Sequence, residues 1–247
     1  MSQTMAPQQE QQDDPAQRLT FLTLSGSPFA ESLRSIRANI ASLLTDKGCR
    51  FTVISPWVDD GKSLVAANLS VALAQTGRSV MLVDADLRRP TLSSYFRASG
   101  ALGFSNMIEQ ATPLLETLVK TSVPNFYFLP AGTCNAHPSN LMASDSLGLV
   151  TAELQNSAHF VIFDTPPLSV CSDGFLLARA TDHTIIVVNQ RSWQGEPEAR
   201  FKRRLEEAGV NVLGVILNET DAAESGYSAG YNSYYYYGGR KPQPPQG

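Results

Sequence analysis

Short apolar runs recur along this chain at intervals that fit strands separated by helices. Arg50 to Ser55 (Arg-Phe-Thr-Val-Ile-Ser) is β-branched and apolar, and similar runs return at Ser79–Val83, Phe126–Leu129, Phe160–Phe163, Thr184–Val188 and Val212–Leu217. They are apolar throughout rather than alternating, the pattern expected when both faces of a sheet are covered. Helical spacing fills the gaps. Leu33, Ile36, Ile40, Leu43 and Leu44 form one apolar stripe, with Ser27 as its cap and Pro28 in its first turn. A helix over Lys62–Gln75 is ended by Gly77, and further helices are predicted over Ser105–Gln110, Leu114–Val119, Leu147–Asn156, Gly174–Ala180 and Pro197–Ala208. The alternation predicts an α/β fold: a single doubly wound, mainly parallel sheet with helices on both faces. No internal repeat is present.

The ends break the pattern. Residues 1–18 are Gln-rich and acidic and read as a disordered leader, with no basic start or apolar core of a signal peptide. The folded unit is predicted over 19–218, and 219–247 reads as a flexible tail. Six of the eight tyrosines lie in that tail: Tyr227, Tyr231, Tyr234, Tyr235, Tyr236 and Tyr237. Set among Gly, Ser and Asn, they have neither helical nor strand period, so their use is expected to be chemical, as phosphate acceptors.

Composition narrows the classes. With 247 residues, 43% hydrophobic and 17% charged, the chain has enough apolar side chains for one soluble α/β core. A net charge of −4 gives no reason to expect a nucleic-acid partner. No apolar stretch reaches the ~18 residues of a membrane span. Cys49, Cys134 and Cys171 and the three histidines are scattered without metal spacing and read as structural.

The chemistry concentrates at three strand ends. Ser55-Pro-Trp-Val-Asp-Asp-Gly-Lys-Ser63 joins a strand to a helix, and its Gly61-Lys62-Ser63 is the end of a phosphate-binding loop. Backbone N–H groups at a helix N-terminus attract phosphate. Lys62 can reach the terminal phosphates and the Ser63 hydroxyl can ligate Mg²⁺. Asp84 and Asp86 follow the next strand, and Asp164 ends the strand Phe160–Phe163. In an open parallel sheet, ligands bind at such carboxyl ends. Taken alone, a strand-end aspartate can equally be a helix cap. The loop departs from the usual pattern: Pro56 stands at its first glycine, and Asp59 and Asp60 bring carboxylates to an anion site. If the backbone carries the phosphate contacts, both side chains can point to solvent.

Together these motifs resemble the bacterial tyrosine kinases of capsule and exopolysaccharide synthesis, P-loop enzymes unrelated in fold to eukaryotic protein kinases. Pro56–Ser63 is similar to their Walker A, Val83-Asp-Ala-Asp-Leu-Arg-Arg-Pro90 to their Walker A′, and Ile162-Phe-Asp-Thr-Pro-Pro167 to their Walker B. Leu129-Pro-Ala-Gly132 with Pro138 and Leu141 resembles a further segment, with His137 in place of Asn. Gly214-Val-Ile-Leu-Asn218 is similar to a strand whose Asn contacts adenine in related ATPases. The resemblance implies ATP and Mg²⁺ as cofactors. Asp60, Gly61, Lys62, Ser63, Leu64 and Asn218 would contact nucleotide, and Lys62, Asp84 and Asp86 would be catalytic. Ser63, Asp86 and Asp164 would hold Mg²⁺, with Asp84 the candidate base for the phenol. Arg88 and Arg89 are candidates for acceptor or phosphate binding, or solvated surface. Asp59 stands where the family has Gly, a position expected to need positive φ.

Glu31, Arg34 and Arg37 are spaced by three on the first predicted helix. That spacing allows an intrahelical Glu31–Arg34 pair, and it resembles the motif by which family members pack into a ring, an octamer by resemblance. Tyr234 lies 16 residues beyond Asn218, a flexible span of about 22 Å and about 53 Å when extended, enough to reach a neighbour's site. Six phosphotyrosines would add about −9 to −12 charges and so disperse the ring. The resemblance further implies a separate transmembrane polysaccharide co-polymerase adaptor, a protein-tyrosine phosphatase, and a cytoplasmic chain recruited to the inner face of the plasma membrane. Two other readings stay open: a catalytically dead scaffold of this fold, and a MinD/ParA-like ATPase. Against the latter, Trp57 occupies the place of that group's signature lysine, and no basic amphipathic tail helix is evident.

Overall fold

The computed structural model describes residues 19, 27–43, 48–133, 135–191 and 197–219. The proposed leader, Leu44, Cys134 and all six tail tyrosines lie outside the described residues. Helix α1 spans Pro28–Leu43, followed by β1 (Cys49–Ile54), α2 (Lys62–Ala74) and β2 (Val80–Asp84). Then come α3 (Leu92–Tyr95), α4 (Phe104–Gln110), α5 (Leu114–Thr117), β3 (Val119–Lys120) and β4 (Phe126–Leu129). The remainder is α6 (Pro138–Met142), α7 (Asp145–Ser157), β5 (Phe160–Asp164), α8 (Asp173–Arg179), β6 (His183–Asn189), α9 (Pro197–Ala208) and β7 (Val212–Asn218). The strands form one sheet in the order β3-β4-β2-β5-β1-β6-β7.

All pairings are parallel except β3 with β4. That exception corrects a predicted helix. The expected Leu114–Val119 helix stops at Thr117, because Leu118 is extended (φ −83, ψ 126). Val119 then pairs with Phe128 as an antiparallel edge, a use that suits a β-branched residue. The short α3 and α6 were not expected; with four and five residues they are too brief for a helical period to show. Ser27 does cap α1, its Oγ accepting the Ala30 N–H at 3.2 Å.

The continuous apolar runs arise because alternate residues serve two cores. Val80, Leu82, Phe160 and Ile162 face α2 and join Ala66, Leu69 and Leu73. Met81, Val83, Val161 and Phe163 face the opposite side, packing with Phe104, Met107, Val150 and Leu154. A third cluster gathers Ile54, Ile186 and Val188 with Phe175, Phe201 and Leu205. The edge strand β7 departs from the expectation of two covered faces. Val215 and Leu217, which share one face of this strand, are each 57% exposed, and β7 pairs only with β6.

This topology places the site. β1 lies centrally between β5 and β6, and β2 lies beside β5, so the loops leaving β1, β2 and β5 open at one edge of the sheet. Asp84 and Asp164 are register partners on adjacent parallel strands. They share the α2 face with Leu82 and Ile162, since successive residues alternate faces. The fold therefore sets two carboxylates side by side under the N-terminus of α2.

Candidate nucleotide and phosphoryl-transfer site

The loop from Ser55 to Gly61 is held by backbone bonds to the segment after β5. Leu168 N–H donates to Ser55 O at 2.9 Å and Ser169 N–H to Pro56 O at 3.0 Å. Thr165 Oγ1 donates to Val53 O at 2.8 Å. Gly61 caps α2 with φ 82, and a Cβ there would fall 2.0 Å from Asn218 Nδ2. Glycine is thus required at Gly61 by both conformation and contact.

Asp59 and Asp60 have different fates. Asp59 is exposed at φ 63, the left-handed conformation anticipated for a position that is Gly in the family. Asp60 does not point to solvent. It is 1% exposed; one oxygen accepts Trp57 N–H at 2.8 Å and the other Asn189 N–H at 3.3 Å. A carboxylate's acceptor-only chemistry suits a tight turn full of N–H donors. Asp60 is therefore a staple inside the loop, and the expectation that both side chains face water is corrected for it. Asn218 Nδ2 donates to Asp60 O at 3.0 Å, so the end of β7 rests on the phosphate loop. Asn189, which joins this network, carried no sequence signal beyond being polar at a strand end.

Replacing Asp59 with Gly relieves about 1 kcal/mol of left-handed strain and removes one negative charge from the loop. The expected result is a melting temperature raised by about 2–4 °C and an ATP dissociation constant lowered at least about twofold. Thermal denaturation and calorimetric titration check both; unchanged values contradict this reading of the loop.

At the loop's end, Lys62 Nζ lies 2.6 Å from Asp164 Oδ1, with the side chains 6% and 0% exposed. It also donates to Ser63 Oγ at 3.2 Å. Asp164 Oδ2 is buried with no hydrogen-bond partner. Asp84 is wholly buried, and its oxygens accept Asp86 N–H at 3.3 Å and Leu92 N–H at 3.2 Å. Asp86 is half-buried, and its Oδ1 accepts the N–H groups of Arg88 at 3.2 Å and Arg89 at 2.9 Å. Burial, then the charges of Asp164 and Asp86, hold the Asp84 carboxyl well above the usual carboxylate range. Burial also raises Asp86, against the pull of the Arg89 amide and of Lys62.

These raised values make a pH prediction. A carboxyl raised by folding favours the neutral form, so its contribution to stability is present below the ordinary carboxylate range and is lost as pH climbs through the raised value. Without nucleotide or Mg²⁺, the stability of the unaltered protein relative to Asp84→Asn should fall as pH rises above the ordinary carboxylate range. Denaturant titrations from acid to alkaline pH test this, and a constant difference refutes it.

Mg²⁺ fits this setting. Asp164 Oδ2 is an orphaned buried acceptor, and the crowding that raises Asp84 is relieved by a cation. Among the described residues no three His, Cys, Asp or Glu side chains form a ready-made metal cage. Mg²⁺ commonly keeps waters and takes few carboxylates beside substrate phosphates.

The predicted ring residues lie elsewhere. Arg34 pairs with Glu31 on α1, and Arg37 Nη1 donates to Ala72 O of α2 at 3.3 Å. Arg88 is not a free surface cation: it binds Asp173 at 3.0 Å and Ser139 at 2.5 Å. Neither partner stood out in the sequence, where Asp173 reads as an ordinary helix-start acid.

Comparison with known proteins agrees with this geometry. Residues 51–230 match the family described as the CobQ/CobB/MinD/ParA nucleotide binding domain. The putative tyrosine-protein kinase CapB of Staphylococcus aureus is 31% identical over 214 residues, covering 86% of this chain and 91% of CapB. This chain belongs to the bacterial tyrosine-protein kinase family. Tyrosine-protein kinase YwqD of Bacillus subtilis is 29% identical over 210 residues, 85% of this chain and 86% of YwqD. The solved chimerical protein CapA2B2 superposes with a TM-score of 0.77 at 29% identity, covering 83% of this chain and 90% of that one. MinD of Pyrococcus horikoshii, solved with Mg-ADP, shares the fold more loosely, with a TM-score of 0.59, 25% identity and 72% of each chain covered. Within the family frame, Lys62, Asp84, Asp86 and Asp164 meet at the strand ends where the three Walker-like segments were recognised. No helix among the described residues is long and apolar enough to cross a membrane.

Proposed function

We propose that this chain is an ATP- and Mg²⁺-dependent protein-tyrosine kinase that phosphorylates its own C-terminal tyrosines and thereby regulates capsule or exopolysaccharide polymerisation and export. The observation that carries the reading is the convergence of Lys62, Asp84, Asp86 and Asp164 at one sheet edge, in a chain with six tyrosines in its last 21 residues. Phosphoryl transfer is largely positioning and charge stabilisation, and the site supplies both. Backbone N–H groups from Gly61 to Leu64 would face the phosphates, and Lys62 would exchange Asp164 for them. Ser63, Asp86 and Asp164 would hold Mg²⁺, which supplies neutralisation of the phosphate charge when bound. The burial of Asp84 refines its role. For Asp84 to act as base, the segment after β2 has to open, whereas Asp86 is already accessible; Asp84 in its present place fixes that segment through two N–H bonds. Asn218 stands at the loop's rim as the candidate adenine contact.

Four further parts of the proposal rest on family resemblance. Subunits assemble as a ring, with an octamer as the size by resemblance, using Glu31, Arg34 and Arg37. A transmembrane polysaccharide co-polymerase adaptor recruits the chain to the inner face of the plasma membrane. A protein-tyrosine phosphatase reverses the modification. Unmodified tails hold the ring, and modified tails, more negative by about 1.5 to 2 charges per tyrosine, leave it.

The test is incubation with Mg-ATP followed by phosphotyrosine mapping, with and without the adaptor's cytoplasmic segment. Label confined to Tyr227, Tyr231 and Tyr234–Tyr237 is the expected result. ATP turnover without tyrosine label would instead indicate a partitioning-type ATPase, and a folded protein with neither activity a scaffold.

A further inference from the structure

Arg88 lies two residues beyond Asp86, and its two ends do different things. Its backbone N–H, with that of Arg89, fixes Asp86 Oδ1. Its guanidinium reaches the start of α8. There Arg88 Nε donates to Asp173 Oδ2 at 3.0 Å, and Arg88 Nη2 to Ser139 Oγ at 2.5 Å. Ser139 Oγ in turn donates to Asp173 Oδ1 at 3.1 Å. The three side chains thus close a ring of hydrogen bonds joining the segment after β2 to α6 and α8.

Two facts give this ring mechanical meaning. Asp173 is 3% exposed, and a buried carboxylate without its cation is costly, so the contact persists rather than frays. The hydrogen bond to Asp173 holds the Arg88 guanidinium still more firmly charged. The platform beneath is also closely packed. A Cβ at Gly174 would come within 3.1 Å of Leu168 Cδ2 and Thr165 Oγ1 and 3.4 Å of Ile54 Cγ2. The first turn of α8 is therefore seated on the ends of β1 and β5, the strands that carry the phosphate loop and Asp164.

We infer that Asp173 and Ser139 are positioning residues which, through Arg88, hold the Asp86 carboxylate at a fixed distance from Asp164 and Ser63 for Mg²⁺. The inference rests on the proposed kinase reading of the site. Neither residue touches nucleotide. Each acts by keeping the Asp86–Arg89 turn in register with the β5 end, as partners behind a metal ligand commonly do, with losses of about 10- to 100-fold in metal affinity or activity when removed.

The test uses the full chain and the variants Asp173→Asn and Ser139→Ala. Stabilisation by ADP is followed by thermal shift, first in EDTA and then across a Mg²⁺ titration, alongside tyrosine labelling at each Mg²⁺ concentration. For Asp173→Asn the half-saturating Mg²⁺ concentration should rise about tenfold, with ADP binding in EDTA unchanged. Ser139→Ala should shift it in the same direction by a smaller factor, and this milder variant keeps the test open if Asp173→Asn folds poorly. An unchanged Mg²⁺ requirement in both variants overturns the inference. So does a loss of ADP binding in EDTA that matches the Mg²⁺ effect, which would mark the ring as merely structural. If the unaltered protein shows Mg²⁺-dependent ADP binding but no tyrosine label, the kinase reading fails while the positioning role stands or falls on the shift alone.

Discussion

Lys62→Met is expected to lower tyrosine labelling of the tail by at least about 100-fold, the loss typical of deleting one preorganised charge-stabilising donor. The structure adds a second consequence. Lys62 is the partner of Asp164 Oδ1 in a pair that is 6% and 0% exposed, and Asp164 Oδ2 has none. Without the lysine, Asp164 is a buried carboxylate with neither oxygen paired, beside Asp84. Removing one member of a buried pair costs about 3–5 kcal/mol. The variant should therefore melt earlier in the absence of nucleotide. Labelling rate and denaturant stability check this. A variant that labels its tail within about threefold of the unaltered protein would remove Lys62 from the machinery, since one charged donor is expected to be worth far more.

Asp164→Asn is expected to move binding and catalysis in opposite directions. Before Lys62 can meet a phosphate it has to leave Asp164, 2.6 Å away. The amide removes the competing charge and leaves the lysine with a poorer partner, so ADP in EDTA should bind more tightly, by about tenfold or about 1.4 kcal/mol. Labelling at saturating Mg-ATP should nevertheless fall about 100-fold, because the neutral amide is a poor substitute for the carboxylate that offers Mg²⁺ its unpartnered Oδ2. Calorimetry with ADP and EDTA, beside the labelling rate, separates the effects. If ADP affinity falls together with the rate, the Lys62–Asp164 pair is a scaffold for the loop rather than a competitor of the nucleotide.

Much of this site was legible in the sequence, for reasons that are physical. Strands buried on both faces, such as Phe160–Asp164, are continuous apolar runs, and the residue that ends each run lands at the same sheet edge. Lys62, Asp84, Asp86 and Asp164 could thus be placed before any coordinates. Asp59 was read as a residue at a glycine position, and it stands at φ 63. What was hidden depends on contacts between distant segments. The Asp60 staple needs Asn189, 129 residues away, and the Arg88 ring needs Asp173 and Ser139, 85 and 51 residues away. A local pattern cannot distinguish an aspartate facing water from one folded into its own loop. Val119 was drawn into a helix because its pairing partner, Phe128, lies across a turn. Three exposed apolar residues of β7, Val212, Val215 and Leu217, look identical to core residues in the sequence, and the strand order puts them at an edge.

The position of Asn218 bears on the central claim, because it fixes where the tail begins. Asn218 touches Asp60 in the phosphate loop, and Glu219, at φ 53, accepts Asn189 Nδ2–H at 2.9 Å. The tail is therefore rooted at the rim of its own subunit's site. The most direct measurement mixes full-length Lys62→Met, as acceptor, with a tailless chain ending at Glu219, as donor, in Mg-ATP. Phosphate on Tyr227, Tyr231 and Tyr234–Tyr237 of the Lys62→Met chain, at a rate that rises with donor concentration, is the result predicted for a kinase that modifies a neighbour's tail. An unlabelled Lys62→Met tail, under conditions where the unaltered full-length protein labels itself at a rate independent of concentration, would contradict it.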